Sequence, residues 1–184
     1  MITLKSYVAA FLRNGDKYLL MKRADNRKIY PGFWSGIGGH IEPHEINDPF
    51  SACYREIAEE SGIYRDKISS LDLLYIITRR SKDEIRQNYI FFGETNTSDI
   101  IQTDEGVLYW ISSDVLIERK YSATYAAMLE HYIKRSQNDR SVYVGVAGDT
   151  GVAGDAGDSG VADIAENNDE TLKMSWLKCE DYEK

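Results

Sequence analysis

The sequence predicts an α+β domain in which a mixed β-sheet carries helices on its faces. Three observations predict it. Two apolar runs flank an Asn14-Gly15 pair, a well-capped amphipathic helix follows at 49–61, and three strand-like runs separate it from a second amphipathic helix at 123–134. Strands, helix, strands and helix in that order favour a mixed sheet over a bundle or a sandwich.

Each element has a local cause. Residues 4–12 are rich in β-branched, aromatic and small apolar types, and Tyr18-Leu19-Leu20-Met21 follows the Asn-Gly pair. Asn and Gly tolerate the positive φ of a tight turn, so these runs read as a β-hairpin. A turn-rich stretch at 23–31 leads to the glycine-rich segment 32–39. In the first helix Asp48 can cap, Pro49 fits the first position and Gly62 can terminate. Phe50, Cys53 and Ile57 form its apolar stripe. Strands are expected at 71–78, 88–92 and 107–111, with a short helix at 113–117 before the one at 123–134. In the latter, Tyr125, Met128, Leu129 and Tyr132 share a face.

The C-terminal part differs in composition. GVAGD occurs at 145–149 and again at 151–155, and GDSGVAD follows. This Gly/Ala/Asp-rich stretch lacks bulky side chains beyond valine and cannot offset its ordering entropy by burial. With strand-like pieces at 141–146 and 172–177 around it, the expectation is a main domain over 1–140. A hairpin-like extension at 141–184 then holds an expanded loop at 147–170.

The net charge of −8 is uneven. Up to Gly148 there are 19 basic and 20 acidic residues; from Asp149 on there are 3 and 10, which carry −7 of the total. A near-neutral body without a basic stripe argues against long nucleic acid as a partner. No segment approaches the length of a membrane span, and no signal peptide is visible at the start. Cys53 and Cys179 form no metal or redox pattern and read as two reduced thiols, which makes a cytoplasmic location the expectation.

The chemistry is concentrated in REIAEESGI at 55–63. On a helix Glu56, Glu59 and Glu60 share one side, at i, i+3 and i+4. Each like-charge pair costs about 0.2–0.5 kcal/mol, and the helix dipole disfavours negative charge in the last turns. A divalent cation reverses that sign, because hard dications gather carboxylate oxygens around one point. The helix alone also reads as a solvated charged face with an ordinary Arg55–Glu59 pair. Upstream, Gly36-Ile37-Gly38-Gly39 provides an edge at which backbone can approach a ligand.

Together these residues resemble the signature of the Nudix hydrolases: a glycine, five residues, a glutamate, seven residues, then Arg-Glu-aliphatic-x-Glu-Glu-x-Gly-aliphatic. Gly39 is followed after five residues by Glu45, and residues 55–63 fill every defined position of the second half. Two departures stand out. Nine residues, not seven, separate Glu45 from Arg55, and His44 occupies a position often held by glycine.

The resemblance implies the Nudix fold, an α/β/α sandwich around a mixed β-sheet, over about the first 135 residues. It implies Mg²⁺, with Mn²⁺ as a substitute, held by Glu56, Glu59, Glu60 and the Gly39 carbonyl. Glu45 and Arg55 would tie loop to helix behind these ligands. It implies attack of water on a diphosphate linkage, with Glu56, Glu60 and Glu105 as the catalytic carboxylates; Glu56 and Glu105 are the candidate bases. Glu105 reads equally as part of a polar turn. Tyr30, Phe33 and Trp34 could wall a substrate base or belong to the core. Arg23, Arg27 and Lys28 could meet phosphate or decorate a turn.

A small nucleotide or other diphosphate compound is the expected substrate. The only prolines are Pro31, Pro43 and Pro49, so the downstream proline typical of ADP-ribose pyrophosphatases is missing. A non-catalytic nucleotide-sensing domain and an isopentenyl-diphosphate isomerase-like enzyme are the alternatives. Many family members are dimers; a homodimer stays open, although no interface stripe is visible.

Overall fold

The computed structural model describes residues 1–25, 30–81, 83–136, 138–149 and 172–179. Among these, eight strands and two helices occur: β1 (Thr3–Asn14), β2 (Lys17–Arg23), β3 (Trp34–Ser35), α1 (Pro49–Ser61), β4 (Ile68–Ser81), β5 (Glu84–Thr95), β6 (Gly106–Ser112), α2 (Ala123–Lys134), β7 (Tyr143–Asp149) and β8 (Leu172–Lys178). They form one mixed sheet in the order β3-β2-β1-β5-β4-β7-β8, with β6 also paired to β2.

The central strand β1 explains the layering. It runs parallel to β5, and its residues alternate between two cores. Val8, Ala10 and Leu12 face Ala52, Cys53 and Ile57 of α1. Ala9 and Phe11 share the opposite core with Met128 and Leu129 of α2. A strand buried on both faces needs this nearly continuous apolar run. The result is the expected α/β/α sandwich.

Local expectations hold for the helices. The Asp48 carboxylate accepts from the Ser51 N–H at 3.1 Å, and Gly62 closes α1 in the left-handed conformation. Phe50 departs from the expected stripe. It is 40% exposed, in the first turn, with its ring edge-on to Phe91, and Ala52 takes its place in the buried face. The helix expected at 113–117 is only a 3-10 turn at Ser113–Val115 without a side-chain cap, too short to nucleate an α-helix.

The sheet opens where the site will lie. β1 pairs with β2 only as far as Leu12↔Leu19; beyond that β3 partners β2, while the segment after β3 bridges β1 at Ala10↔Ile37 and Tyr7↔His40. The glycine-rich stretch is therefore wedged between two diverging strands.

At the other edge β7 pairs in parallel with β4 and antiparallel with β8, so the expected C-terminal hairpin continues the main sheet. Residues 147–149 of the expected loop extend β7, and 150–170 lie outside the described residues. Trp176 of β8 packs on the α2-side core, edge-on to Tyr75 at 5.1 Å. Trp176→Ala should therefore lower global stability by about 2 kcal/mol or more in a single cooperative transition. Denaturant unfolding followed by circular dichroism checks this; a separate early transition would contradict it.

Candidate functional site

Arg55, on α1, organises the site. Its Nε and Nη2 donate to the two oxygens of Glu45, both at 2.8 Å. Nη1 donates to Glu56 at 2.9 Å and Glu59 at 3.0 Å, and Nη2 also reaches the His40 carbonyl at 3.0 Å. The planar guanidinium is suited to such a two-pronged contact with a carboxylate. Glu45 is buried and also accepts from the Glu42 N–H at 3.0 Å. The Arg55 fork holds its carboxyl down at about 2. Loop and helix are thus locked together despite the nine-residue spacing between Glu45 and Arg55.

The glycine edge meets the acidic helix directly. The Gly38 N–H donates to Glu60 Oε2 at 2.9 Å. A Cβ on Gly38 would lie 2.1 Å from the Val8 carbonyl oxygen, and one on Gly39 would lie 2.7 Å from both Glu56 carboxylate oxygens. Gly38 needs glycine because the β1 backbone lies where its Cβ would stand, whereas a Cβ on Gly39 would displace the Glu56 carboxylate. The Gly39 carbonyl accepts from the Val8 N–H at 3.0 Å and keeps a second lone pair.

Glu56 and Glu60 are both buried. Burial raises the Glu56 carboxyl above its ordinary range, opposed by Arg55. Glu60 is pushed up to about 8, first by burial and then by the nearby charges of Glu105 and Glu56, against the opposing Gly38 N–H. Glu105, from the loop before β6, lies within electrostatic reach of Glu60 and Glu56. The sequence-predicted carboxylate outside the helix is therefore at the cluster. Glu59 is largely exposed and turned to Arg55.

Among the described residues no three side chains of His, Cys, Asp or Glu converge closely enough to hold a metal ion by themselves. Glu56 and Glu59 contact Arg55, and Glu105 lies within electrostatic reach of Glu60. The donor set nevertheless fits a hard dication. It is all oxygen, and the carboxylates crowd against the cradle that a Gly39 Cβ would fill.

The expected substrate residues are dispersed around this cluster. The Arg23 N–H donates to the Phe33 carbonyl at 2.9 Å. Phe33 is buried, with Lys120 over its ring at 4.6 Å. Trp34 is half-buried beside Tyr109 and carries the Arg119 guanidinium at 5.4 Å. Tyr30 has φ 54°, a left-handed conformation uncommon for a bulky residue, and its ring lies 5.1 Å from Phe33. Arg27 and Lys28 lie outside the described residues.

Sequence reading missed Tyr125, Arg119 and Lys120. Tyr125, assigned to the core by its helical spacing, lies within electrostatic reach of Arg23, Glu60 and Tyr30, and burial raises its phenol to about 12. Only the adjacent basic pair in the loop before α2 could have signalled Arg119 and Lys120. Cys53 is fully buried against the sheet and its thiol is pushed well above its ordinary range, so it cannot serve an isomerase-like site.

This pairing of a glycine edge with an Arg55-tied acidic helix, inside an α/β/α sandwich, defines a class of protein. A family model described as the NUDIX domain matches residues 3–132, and the chain belongs to the Nudix family. The nucleoside triphosphatases NudI of Salmonella arizonae and Salmonella newport are each 43% identical to it over 58 residues, 32% of this chain and 40% of theirs. The match thus spans well under half the length of these curated relatives.

Among solved structures, a MutT protein from Bacillus halodurans superposes with a TM-score of 0.68 at 17% identity, covering 94% of this chain and 97% of that one. A NUDIX hydrolase from Nitrosomonas europaea gives 0.64 at 17% identity, covering 79% and 80%. At these identities the likeness is one of fold. No helix among the described residues is long and apolar enough to cross a membrane.

Glu60 and Glu45 predict opposite pH limbs. Glu60 is raised from 4.5 to about 8, so its contribution to stability is complete below pH 4.5 and is lost as pH climbs through 8. Glu45 is lowered from 4.5 to about 2, so its contribution is present above pH 4.5 and is lost as pH falls through 2. Thermal melts in chelator should show Glu60→Gln flattening the alkaline limb and Glu45→Gln the acid limb. Unchanged limbs in both variants would contradict the assignment of the Glu60 shift to burial and of the Glu45 shift to Arg55.

Proposed function

We propose that this protein hydrolyses the diphosphate linkage of a nucleoside triphosphate or another nucleoside diphosphate derivative, using Mg²⁺ with Mn²⁺ as a substitute. The observation that carries the reading is the packing of Glu56 and Glu60 against the Gly38–Gly39 edge, with Glu105 within electrostatic reach of both and Arg55 and Glu45 bracing the helix. Glu56, Glu59, Glu60 and the Gly39 carbonyl would hold the cation. When bound, the cation polarises phosphoryl oxygens and lowers the pKa of water.

The residues of the chain supply the rest. Glu105 stands outside the Arg55 network and within electrostatic reach of Glu60, which supports it over Glu56 as acceptor of the proton from the attacking water. Water adds to phosphorus, the phosphorus–oxygen bond of the anhydride breaks, and the leaving phosphate carries away the bonding pair. The Arg55–Glu45 tie keeps the carboxylates in place through this exchange. Arg23 and Arg119 offer positive charge for the phosphates, and Tyr30 and Trp34 offer ring faces for a base. The name of the NudI relatives, nucleoside triphosphatase, favours a nucleoside triphosphate as substrate.

A panel of nucleoside triphosphates, nucleoside diphosphate sugars and dinucleoside polyphosphates, assayed with Mg²⁺ and with Mn²⁺ by chromatography of the products, tests this. Turnover should appear for at least one of them. In Glu60→Gln it should fall by about a hundredfold or more, with the fold retained in a thermal melt. Equal turnover in Glu60→Gln would sink the proposal.

A further inference from the structure

A cavity lies away from the carboxylates. It measures about 280 Å³ and opens where β1 and β5 end, beside the C-terminal end of α2. Its rim holds Arg13, Arg135 and Arg140, and Glu94 is the one carboxylate in its lining. Leu74, Phe92 and Leu116, all buried, supply an apolar floor. The hydroxyls of Tyr18 and Tyr132, 3.1 Å apart, add polar groups to the wall. Arg13 is five residues along β1 from Val8, which binds the Gly39 carbonyl, so about 17 Å of extended strand separates the cavity from the glycine edge.

Charge balance at this cavity is incomplete. Arg13 pairs with Glu94, and Arg140 pairs with Asp72. Among the described residues no carboxylate lies within ion-pair distance of Arg135. Tyrosine rings hold it instead, with the guanidinium 5.1 Å from Tyr132, 5.5 Å from Tyr75 and 5.8 Å from Tyr143. Its Nη1 is shut off from solvent and has no hydrogen-bond partner among the described residues. A half-buried cation fixed by ring faces, beside two further arginines, is an arrangement that an anion completes.

We propose that this cavity binds a small organic phosphate monoester, its phosphate on the arginine rim and its apolar body on the Leu74–Phe92–Leu116 floor. The volume, at the lower end of that of small-molecule sites, limits the ligand to about the size of a nucleoside monophosphate. The inference does not depend on the proposed hydrolysis. It concerns residues outside the carboxylate cluster and is tested without turnover.

Isothermal titration of the full-length chain in chelator, with AMP, inorganic phosphate and benzoate as separate probes, decides it. AMP should bind saturably at one site, more tightly than either other probe. Its affinity should fall about tenfold or more in Arg135→Ala and in the exposed-site variant Arg140→Ala. Arg135→Lys, which keeps the charge but not the fork, should recover only part of the loss. The same loss should appear in a Glu56→Gln background, which separates this cavity from the carboxylate cluster. No AMP binding, affinity unchanged in both arginine-to-alanine variants, or benzoate or inorganic phosphate binding as tightly as AMP would each overturn the proposal.

Discussion

The interaction on which the rest of the structure depends is the five-contact network of the Arg55 guanidinium. One side chain on α1 binds both oxygens of Glu45, one oxygen each of Glu56 and Glu59, and the carbonyl of His40. These partners come from the loop before the helix, from the helix itself and from the end of the glycine edge. Without the fork, burying Glu45 would strand a charge, and the loop would have no fixed position relative to the carboxylates. With it, the Gly38 amide reaches Glu60, and Gly39 sits where an added Cβ would run into the Glu56 carboxylate.

The fold supplies the place for this arrangement. β1 pairs with β2 only from Leu12 onward, and ahead of that point the glycine-rich segment fills the gap through the bridges at Ala10 and Tyr7. α1 then lies across the sheet with Ala52, Cys53 and Ile57 in the core, which puts Glu56 and Glu60 at the seam between helix and wedge. The electrostatic cost is visible in Glu60, whose carboxyl is raised by burial, Glu105 and Glu56 together. A sequence shaped only for stability would avoid that grouping. Glu60 accepts from the Gly38 amide and feels the charges of Glu105 and Glu56, a crowding that a dication relieves.

Much of this was legible in the sequence. Asp48, Pro49 and Gly62 mark the ends of α1 because capping is a local property. The i, i+3, i+4 spacing puts the glutamates on one side because helical geometry is fixed. Other features depend on distant partners and left no local trace. The parallel pairing of β7 with β4 is set by which sheet edge is open, not by the composition of residues 143–149. Tyr125 has the spacing of a core residue and is one in part, yet it comes within reach of Glu60 only because α2 crosses that end of the sheet. Phe33 and Trp34 looked alike in the sequence; burial separates them, with Phe33 in the interior and Trp34 half-open beside Tyr109.

The central claim is that the Arg55-braced carboxylates form a dication site. Electron paramagnetic resonance of free Mn²⁺, titrated into the protein without nucleotide, measures it most directly. The account predicts saturable loss of the free Mn²⁺ signal with wild-type protein, weakened about tenfold or more in Glu56→Gln and in Glu60→Gln, while both variants keep a cooperative melt. Wild-type protein that leaves the signal unchanged, or variants that bind Mn²⁺ as tightly as wild type, would contradict it.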